Sequence, residues 1–257
     1  MKTIILAGGL GTRISEETIL KPKPMVEIGG MPILWHIMKY YSKFGFNDFL
    51  IALGYKGDVI KNFFFNYKLI NSDLILDFTS GQSHFVNDST ENWKVGLYDT
   101  GKHSMTGGRL FKLKKQFKKG ESFLLTYGDG LSNIDINKLV DFHHSHSKIA
   151  TISAVRPSAR FGTLEINTSN HVVNFKEKPQ TGEGWINGGY FVFNYDIFDY
   201  LLDESTVLEL DPLEKLAKSN QLVAFQHENF WQCMDTVRDR DHLNELWLNN
   251  LAPWKIW

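Results

Sequence analysis

Short apolar runs alternate with longer amphipathic segments along the chain. The apolar runs have the length and composition of buried strands, and they cover Thr3–Ala7, Phe49–Leu53 and Phe123–Tyr127. Between them, apolar residues recur three and four positions apart, which predicts helices over Pro32–Phe44, Lys56–Tyr67 and Ile134–Ser145. Gly45 ends the first of these helices and Asn133 caps the third. This βαβ order predicts a sheet that is largely parallel.

The pattern changes in the second half of the chain. The segment Leu74–Leu110 is rich in Gly, Ser, Thr and Asn and has weak periodicity, so we expect it to leave the sheet. After Ile149, short strands are predicted over Thr151–Val155, Thr163–Ile166, Val172–Phe175 and Tyr190–Phe193, and helices return near Pro212 and Arg238. Without a repeat or a linker, the expectation is one mixed α/β domain over residues 1–257, with flanking helices and a β-rich second half.

Composition and charge narrow the class of protein. A length of 257 residues and a hydrophobic content of 42% are those of an ordinary globular core. The formal net charge of −1 predicts neither a nucleic acid nor an anionic membrane as partner. The single cysteine, the absence of a signal-like N-terminus and the absence of a long apolar run lead us to expect a cytoplasmic protein.

Three strand ends carry residues that suggest chemistry. Open parallel sheets bind ligands at the carboxyl ends of their strands. GGLGTR follows the first strand, Asp129 follows Tyr127 between two glycines, and Asp235 follows the segment HENFWQCM. The two carboxylates together are suited to Mg²⁺, which binds one or two carboxylates plus phosphate oxygens. Taken singly, Asp129 is equally explained as a turn cap, and Asp235 as a cap or an ion-pair partner of the helix containing Arg238.

The glycine-rich segment GGLGTR indicates a phosphate close to the backbone, because the segment ends in Arg13 and Lys23 follows. It is not a dinucleotide-binding motif, since Ile14 stands where the third glycine belongs. Nor is it a P-loop, which requires Gly-Lys followed by Ser or Thr. Pro22 and Pro24 stiffen the chain around Lys23, which argues against a freely solvated lysine.

The motifs LAGGLGTR, KPKPMVEIGG, YGDG, EKP (Glu177–Pro179) and a later MD resemble those of the sugar-1-phosphate nucleotidyltransferases, over essentially the whole chain. SMTGGRL and the terminal APWK are similar to the branch that uses CTP and glucose 1-phosphate. The resemblance implies a Rossmann-like sheet of the nucleotide-diphospho-sugar transferase type. It also implies that CMP passes from CTP to α-D-glucose 1-phosphate with Mg²⁺ as cofactor, giving CDP-glucose and pyrophosphate. A sister enzyme with another triphosphate or sugar phosphate stays open, as does a non-catalytic regulatory subunit that binds nucleotide sugars.

The resemblance also assigns roles to residues. The nucleotide is expected at Leu6, Ala7, Gly8, Gly9, Leu10, Gly11, Thr12, Arg13, Lys23, Ser104, Arg109 and Gly128. The sugar phosphate is expected at Gly162, Glu177, Lys178 and Asn187, and the metal at Asp129 and Asp235. Arg13, Lys23, Asp129 and Asp235 are the expected catalytic residues. Residues 1–150 form the nucleotide half and 151–257 the sugar-phosphate half. A homo-oligomer, a hexamer, is implied, in which Arg109 reaches the nucleotide of a neighbouring subunit.

Several other conspicuous residues are expected to have ordinary structural roles. His143, His144 and His146 lack Cys or carboxylate neighbours at metal spacing, so we expect them on the surface without zinc. Cys233 is expected to pack as a small hydrophobe. Lys56 is expected to be exposed at the start of its helix.

Overall fold

The structure is a computed structural model of the chain, and it describes residues 1–86, 90–157, 163–166, 168–176 and 184–257. Across these residues, no helix combines the length and the apolar character that spanning a membrane requires.

Strands and helices alternate through most of the chain. The strands are β1 (Lys2–Ala7), β2 (Glu27–Ile28), β3 (Met31–Pro32), β4 (Asp48–Leu53), β5 (Asp73–Asp77), β6 (Gln82–Val86), β7 (Lys94–Asp99), β8 (Ser122–Tyr127), β9 (Gly130–Ser132), β10 (Ala150–Val155), β11 (Thr163–Ile166), β12 (Val172–Lys176), β13 (Ile186–Asn194), β14 (Leu222–His227) and β15 (Trp231–Cys233). The helices are α1 (Ser15–Thr18), α2 (Ile33–Lys43), α3 (Gly57–Phe65), α4 (Tyr67–Asn71), α5 (Thr106–Lys112), α6 (Ile136–His144), α7 (Asp211–Lys218) and α8 (Val237–Leu248).

A seven-stranded sheet forms the centre of the molecule, in the order β14-β10-β13-β8-β1-β4-β7. β8, β1, β4 and β7 run parallel, β13 is antiparallel to both of its neighbours, and β10 pairs with β14 in parallel. The expected mixed α/β fold with a mostly parallel sheet is therefore confirmed. The parallel strands end at one edge, so the residues after β1, β4, β7 and β8 lie together there.

Alternate residues of the strands fill two cores, one on each face of the sheet. Ile5 of β1 packs on the face covered by α2, where Ile37 and Tyr41 are buried. Ile4, one residue earlier, packs on the opposite face with Leu110 of α5. The period of two along each strand thus buries both faces, which is why the strands read as continuous apolar runs.

The middle segment follows the expectation only in part. β5 and β6 form a hairpin outside the main sheet, as a segment that leaves the sheet should. β7, however, pairs in parallel with β4 and forms the edge of the sheet, which contradicts an excursion over all of Leu74–Leu110. The side chains of β7 are only half buried, because an edge strand has a neighbouring strand on one side only. The sequence of β7 is therefore less continuously apolar than that of the central strands.

Two predicted helix boundaries are wrong. Helix α6 begins at Ile136, and its cap is Asp135, whose carboxylate accepts from the Lys138 amide at 3.0 Å. Asn133 is not this cap, because it lies three positions before the helix begins, where its backbone amide donates to Phe230 O at 3.2 Å between β9 and β15. The helix predicted over Lys56–Tyr67 is divided into α3 and α4, with Asn66 between them.

The chain terminus packs under helix α2. Trp254 is fully buried, and its indole N–H donates to His36 Nδ1 at 3.3 Å. His36 Nε2 in turn donates to Ile28 O at 2.7 Å, so the ring is neutral with its proton on Nε2. Burial lowers the pKa of His36 to about 4. Ala252 and Trp254 of the APWK motif are thus part of the hydrophobic core, whereas Lys255 is exposed.

The histidine cluster at the end of α6 is not wholly on the surface. His143 is buried, with Nδ1 2.9 Å from Thr151 Oγ1 and Nε2 3.0 Å from Asn194 Oδ1. The expectation of a surface position is wrong for His143, because strands β10 and β13 supply polar partners for both ring nitrogens. His144 is exposed as expected, and His146 bonds to Thr151 at 2.9 Å.

Candidate active site

A cavity of about 550 Å³ opens at the carboxyl ends of the parallel strands. Its lining contains most of the residues expected to bind nucleotide, metal and sugar phosphate, although they come from distant parts of the chain. Those residues are Leu6, Ala7, Gly8, Gly9, Gly11, Thr12, Arg13, Lys23, Ser104, Arg109, Gly128, Asp129, Asn187 and Asp235. Leu10 is the exception, because it lies outside the lining and its side chain is 48% exposed. Gly162, Glu177 and Lys178 lie outside the described residues.

Lys23 lies at the centre of the charged groups. Its Nζ donates to Asp129 Oδ2 at 2.5 Å and to Asp235 Oδ1 at 2.6 Å. Burial alone lowers the pKa of Lys23, but the two carboxylates outweigh burial, so the net pKa lies above 10.5. The ammonium is therefore charged at neutral pH and shared by two carboxylates. This contact confirms that Lys23 is not a freely solvated lysine.

Asp235 accepts from two cations. Besides Lys23, the Arg13 guanidinium lies 2.5 Å from Asp235 Oδ2. Burial raises the pKa of Asp235, but the hydrogen bond and charge of Lys23 and the charge of Arg13 bring it below 3.8. The Arg13 side chain is 71% exposed, so its guanidinium reaches the carboxylate from the solvent side of the cavity.

The local fold explains why the two carboxylates meet. β9 pairs antiparallel with β15, which places Gly130 opposite Cys233, and Met234 N donates to Asp129 O at 2.8 Å. Asp235 does not cap α8. The cap is Thr236, which forms a capping box with Asp239. Asp235 is therefore free to face the cavity.

Arg109 is buried, with only 4% of its surface exposed. Its guanidinium donates to Gly8 O, Leu53 O, Thr100 Oγ1 and Gly101 O at 2.8–3.0 Å. These acceptors follow or end β1, β4 and β7, so one side chain ties three strand ends together. Arg109 forms no ion pair with the carboxylates of the described residues, and its charge therefore adds to the positive potential of the cavity.

The expectation that Arg109 serves a neighbouring subunit stays a prediction. Within one chain, the Arg109 side chain lines the cavity, and its guanidinium donates to Gly8 O at 2.8 Å. Helix α5 directs Arg109 inward, where carbonyl oxygens at the strand ends accept from the guanidinium in addition to their other donors.

Gly8 is required for this arrangement. A Cβ atom on Gly8 would lie 2.2 Å from Nη1 of Arg109, far inside van der Waals contact. The first position of the glycine loop thus has a packing reason to be glycine, in addition to the phosphate-binding reason that the sequence suggests.

Sequence reasoning missed several side chains of the lining. Tyr127 and Thr106 contribute polar groups to it, and Trp231 and Cys233 line it beside Asp235. Trp231, Cys233 and Asp235 occupy every second position, so the alternation of side chains along β15 and the residues after it places all three on the same side. That alternation was the available signal. Burial raises the pKa of Cys233 to about 12, and its Sγ lies 3.5 Å from Asp235 Oδ2, so Cys233 packs beside the carboxylate as a thiol.

The comparisons with known proteins identify the family. A family model described as nucleotidyl transferase matches residues 2–239. The chain is also 51% identical, over all of both chains, to the glucose-1-phosphate cytidylyltransferase of Salmonella typhimurium. The chain belongs to the nucleotidyl transferase family. A probable glucose-1-phosphate cytidylyltransferase of Bacillus subtilis is 41% identical, again over the full length of both chains.

A solved structure of the same family supports the fold. HddC from Yersinia pseudotuberculosis superposes with a TM-score of 0.71 at 27% identity, covering 96% of this chain and 99% of that chain. In a nucleotidyltransferase, two polyanions must meet in one cavity. Arg13, Lys23 and the buried Arg109 bring three positive side chains to this cavity, and Asp129 and Asp235 bring two negative ones. The described part of the chain has no cluster of three or more His, Cys, Asp or Glu side chains that would hold a metal by itself.

Proposed function

We propose that this nucleotidyltransferase transfers CMP from CTP to α-D-glucose 1-phosphate, releasing CDP-glucose and pyrophosphate. The observation that carries the proposal is the pair Asp129 and Asp235, held around the Lys23 ammonium beside the glycine loop. The choice of CTP and glucose 1-phosphate is supported by the full-length identity of 51% with the Salmonella enzyme that carries that name.

Asp129 and Asp235 fit Mg²⁺ by the chemistry of their donors. Hard carboxylate oxygens are its preferred protein ligands, and two of them already flank one cation, the ammonium of Lys23. Two carboxylates leave most of an octahedral shell to phosphate oxygens and water, as is usual for Mg²⁺ in phosphoryl chemistry. Bound there, Mg²⁺ would neutralise charge on the triphosphate and on the departing pyrophosphate.

The reaction needs alignment and charge neutralisation more than proton transfer. A phosphate oxygen of glucose 1-phosphate is already anionic near pH 7, so it attacks the α-phosphorus of CTP without a general base. The new P–O bond forms as the bond to the β-phosphate oxygen breaks, and pyrophosphate leaves in line. Lys23 and Arg13 offset the repulsion between the two substrates and stabilise charge on the α-phosphate oxygens.

The remaining site assignments are part of the same proposal. The glycine loop, Ser104, Arg109 and Gly128 enclose the nucleotide, which residues 1–150 bind. Residues 151–257 bind the sugar phosphate, through Asn187 of the described lining and through Gly162, Glu177 and Lys178.

A substrate panel tests the proposal. Pyrophosphate release is measured with five nucleoside triphosphates, each combined with glucose, galactose and mannose 1-phosphates, in the presence of Mg²⁺. We expect the highest kcat/KM with CTP and glucose 1-phosphate. A preference for another pair would identify a sister enzyme, and no turnover with any pair would contradict catalysis altogether.

The metal assignment has its own test. We expect Asp129→Asn to lower kcat at least a hundredfold, because the lost charge acts in the transition state. The matched control is Asp211→Asn, at an exposed position in the first turn of α7. Near-normal turnover of Asp129→Asn at saturating Mg²⁺ would contradict the assignment.

We also propose a homo-oligomer, a hexamer. Exposed apolar side chains are concentrated on α3, α4 and the β5–β6 hairpin, and they include Phe65, Ile70, Leu76 and Phe78. A monomeric protein seldom leaves such a group uncovered. Sedimentation velocity is the test, and a monomer at micromolar concentration would contradict the proposal.

A further inference from the structure

Behind the cavity wall lies a carboxylate that belongs to none of the site assignments. Glu209, in the segment before α7, accepts from the Tyr127 hydroxyl at 2.5 Å through Oε1. Its other oxygen, Oε2, accepts from the Thr106 hydroxyl, also at 2.5 Å. Tyr127 and Thr106 line the cavity, whereas Glu209 is not part of the lining. Glu209 therefore contacts two wall residues from the side away from the ligand space.

The hydrogen bonds have a fixed direction. An ionised carboxylate only accepts, so the Tyr127 hydroxyl proton is committed to Glu209. The Tyr127 oxygen is then left as an acceptor, and Asn187 Nδ2 donates to it at 3.2 Å. At the other end of the same amide, Gly189 N donates to Asn187 Oδ1 at 2.8 Å. The orientation of the Asn187 amide is thus set from both sides, and its second Nδ2 proton is left over as a donor.

We propose that Glu209 is a positioning residue for the sugar phosphate, acting through Tyr127 on Asn187. By fixing the direction of the Tyr127 hydroxyl, Glu209 makes Asn187 present an N–H donor to the cavity. Such a donor selects a ligand oxygen that accepts, which is the chemistry of a sugar hydroxyl or a phosphate oxygen. The inference rests on the proposed function, since it assigns the ligand of Asn187 to the sugar 1-phosphate.

The backbone around Glu209 keeps the carboxylate in place. Met105 N donates to Glu204 O at 2.9 Å, Gly108 N donates to Thr206 O at 3.0 Å, and Leu208 N donates to Thr106 Oγ1 at 3.0 Å. The segment that carries Glu209 is therefore docked on the start of α5. The first two bonds are backbone to backbone, so a change of the Glu209 side chain alone leaves them intact.

Steady-state kinetics of Glu209→Ala test the proposal, with Glu204→Ala as the matched control. Glu204 lies in the same segment, and its side chain is exposed and pairs with Lys112 at the surface. With the best sugar 1-phosphate found for the wild type, we expect KM for that sugar phosphate to rise about tenfold in Glu209→Ala. KM for the triphosphate and kcat should change less than threefold, because the lost interaction is one of binding. Glu204→Ala should match the wild type.

A double-mutant cycle separates positioning from general damage. If Glu209 acts through the hydroxyl of Tyr127, then Glu209→Ala should have less than a twofold effect on KM in a Tyr127→Phe background. Additive effects would overturn the proposal, as would an equal rise of KM for both substrates. So would Glu209→Ala kinetics that equal those of Glu204→Ala.

Binding of CDP-glucose and of CDP, measured by calorimetry, does not depend on turnover. The wild type should bind CDP-glucose more tightly than CDP. In Glu209→Ala, the ratio of these two affinities should fall about tenfold, while the affinity for CDP itself is unchanged. An unchanged preference overturns the positioning role. By contrast, a wild type that turns over no sugar 1-phosphate and shows no preference for CDP-glucose overturns the proposed function itself.

Discussion

Replacing Lys23 by methionine removes the cation that two carboxylates share. Methionine keeps much of the length and apolar volume of the lysine stem, so the change is mainly one of charge. The side chains of Lys23, Asp235 and Asp129 are 9%, 10% and 27% exposed. In the variant, Asp129 and Asp235 face each other without the ammonium that now lies within 2.6 Å of both.

The expected cost follows from this burial. Removing one partner of a buried ion pair costs about 3–5 kcal/mol. Arg13 still reaches Asp235 in the variant, and Asp129 is partly hydrated, so we expect the lower end, about 3 kcal/mol. For a chain of this size that corresponds to a fall in Tm of roughly 6–12 °C.

The effect should depend on pH with a definite sign. In the wild type the pKa of Asp235 lies below 3.8, so the pair stabilises the fold above pH 3.8 and this stability is lost at lower pH. Without Lys23, burial raises the pKa of Asp235, and the destabilised carboxylate is relieved by protonation as the pH falls. The difference in Tm between variant and wild type should therefore be larger at pH 7.5 than at pH 4.5.

Calorimetry at the two pH values is the assay, with Lys218→Met as control. Lys218 forms an exposed i,i+4 pair with Glu214 on α7, and its loss should cost less than about 0.5 kcal/mol. At pH 7.5, millimolar Mg²⁺ should raise the Tm of Lys23→Met more than that of the wild type, because it replaces the missing cation. A loss of equal size at both pH values, unaffected by Mg²⁺, would show that Lys23 acts through packing and would refute the reasoning.

Three further predictions concern the scaffold of the site. Gly8→Ala should lower Tm by more than about 6 °C, because its Cβ would displace the buried Arg109 guanidinium, whereas Gly9→Ala, with open space around its Cβ, should change Tm little. His36 is neutral in the fold with a pKa of about 4, so the free energy of unfolding should fall by about 3 kcal/mol from pH 6.5 to pH 4. Urea denaturation should show a smaller fall of this free energy for His36→Gln. Asp135→Ala should cost about 1 kcal/mol by removing the cap of α6, and an unchanged denaturation midpoint would contradict that role.

The pattern of the sequence predicts the sheet and the position of the site well. β1, β4 and β8 are continuous apolar runs because both faces of the sheet are covered, and such runs are recognisable without a structure. Their carboxyl ends meet by topology alone. Asp129 and Lys23 therefore come together although they are separated by 106 positions.

Side-chain partners are what the sequence could not supply. Lys56 has the pattern of an exposed helix start, yet its Nζ donates to Ile19 O, beside the glycine loop. Arg109 and His143 are polar residues whose burial depends on acceptors in other strands. A local window contains neither those acceptors nor their direction, so the average tendency of Arg and His to be exposed gives the wrong answer at these positions.

The motifs APWK and SMTGGRL also act on the site through residues that do not line the cavity. In APWK, Trp254 donates to His36, and His36 donates to Ile28 O, a few residues after the turn that carries Lys23. His36 and Trp254 are both fully buried. The terminal segment therefore stabilises the part of the chain that carries Lys23.

In SMTGGRL, a Cβ on Gly108 would lie 2.1 Å from Glu204 O, so this glycine is what allows the segment ending in Glu209 to dock on α5. Gly107 and Gly108 thus allow the close approach that positions the Glu209 carboxylate. Glu209 in turn orients the Tyr127 hydroxyl. In the role proposed for Glu209, a donor that faces the ligand takes its direction from a residue one layer behind it. The two motifs bear on the site in the same indirect way, because Trp254 and Gly108 hold in place the segments that carry Lys23 and Glu209.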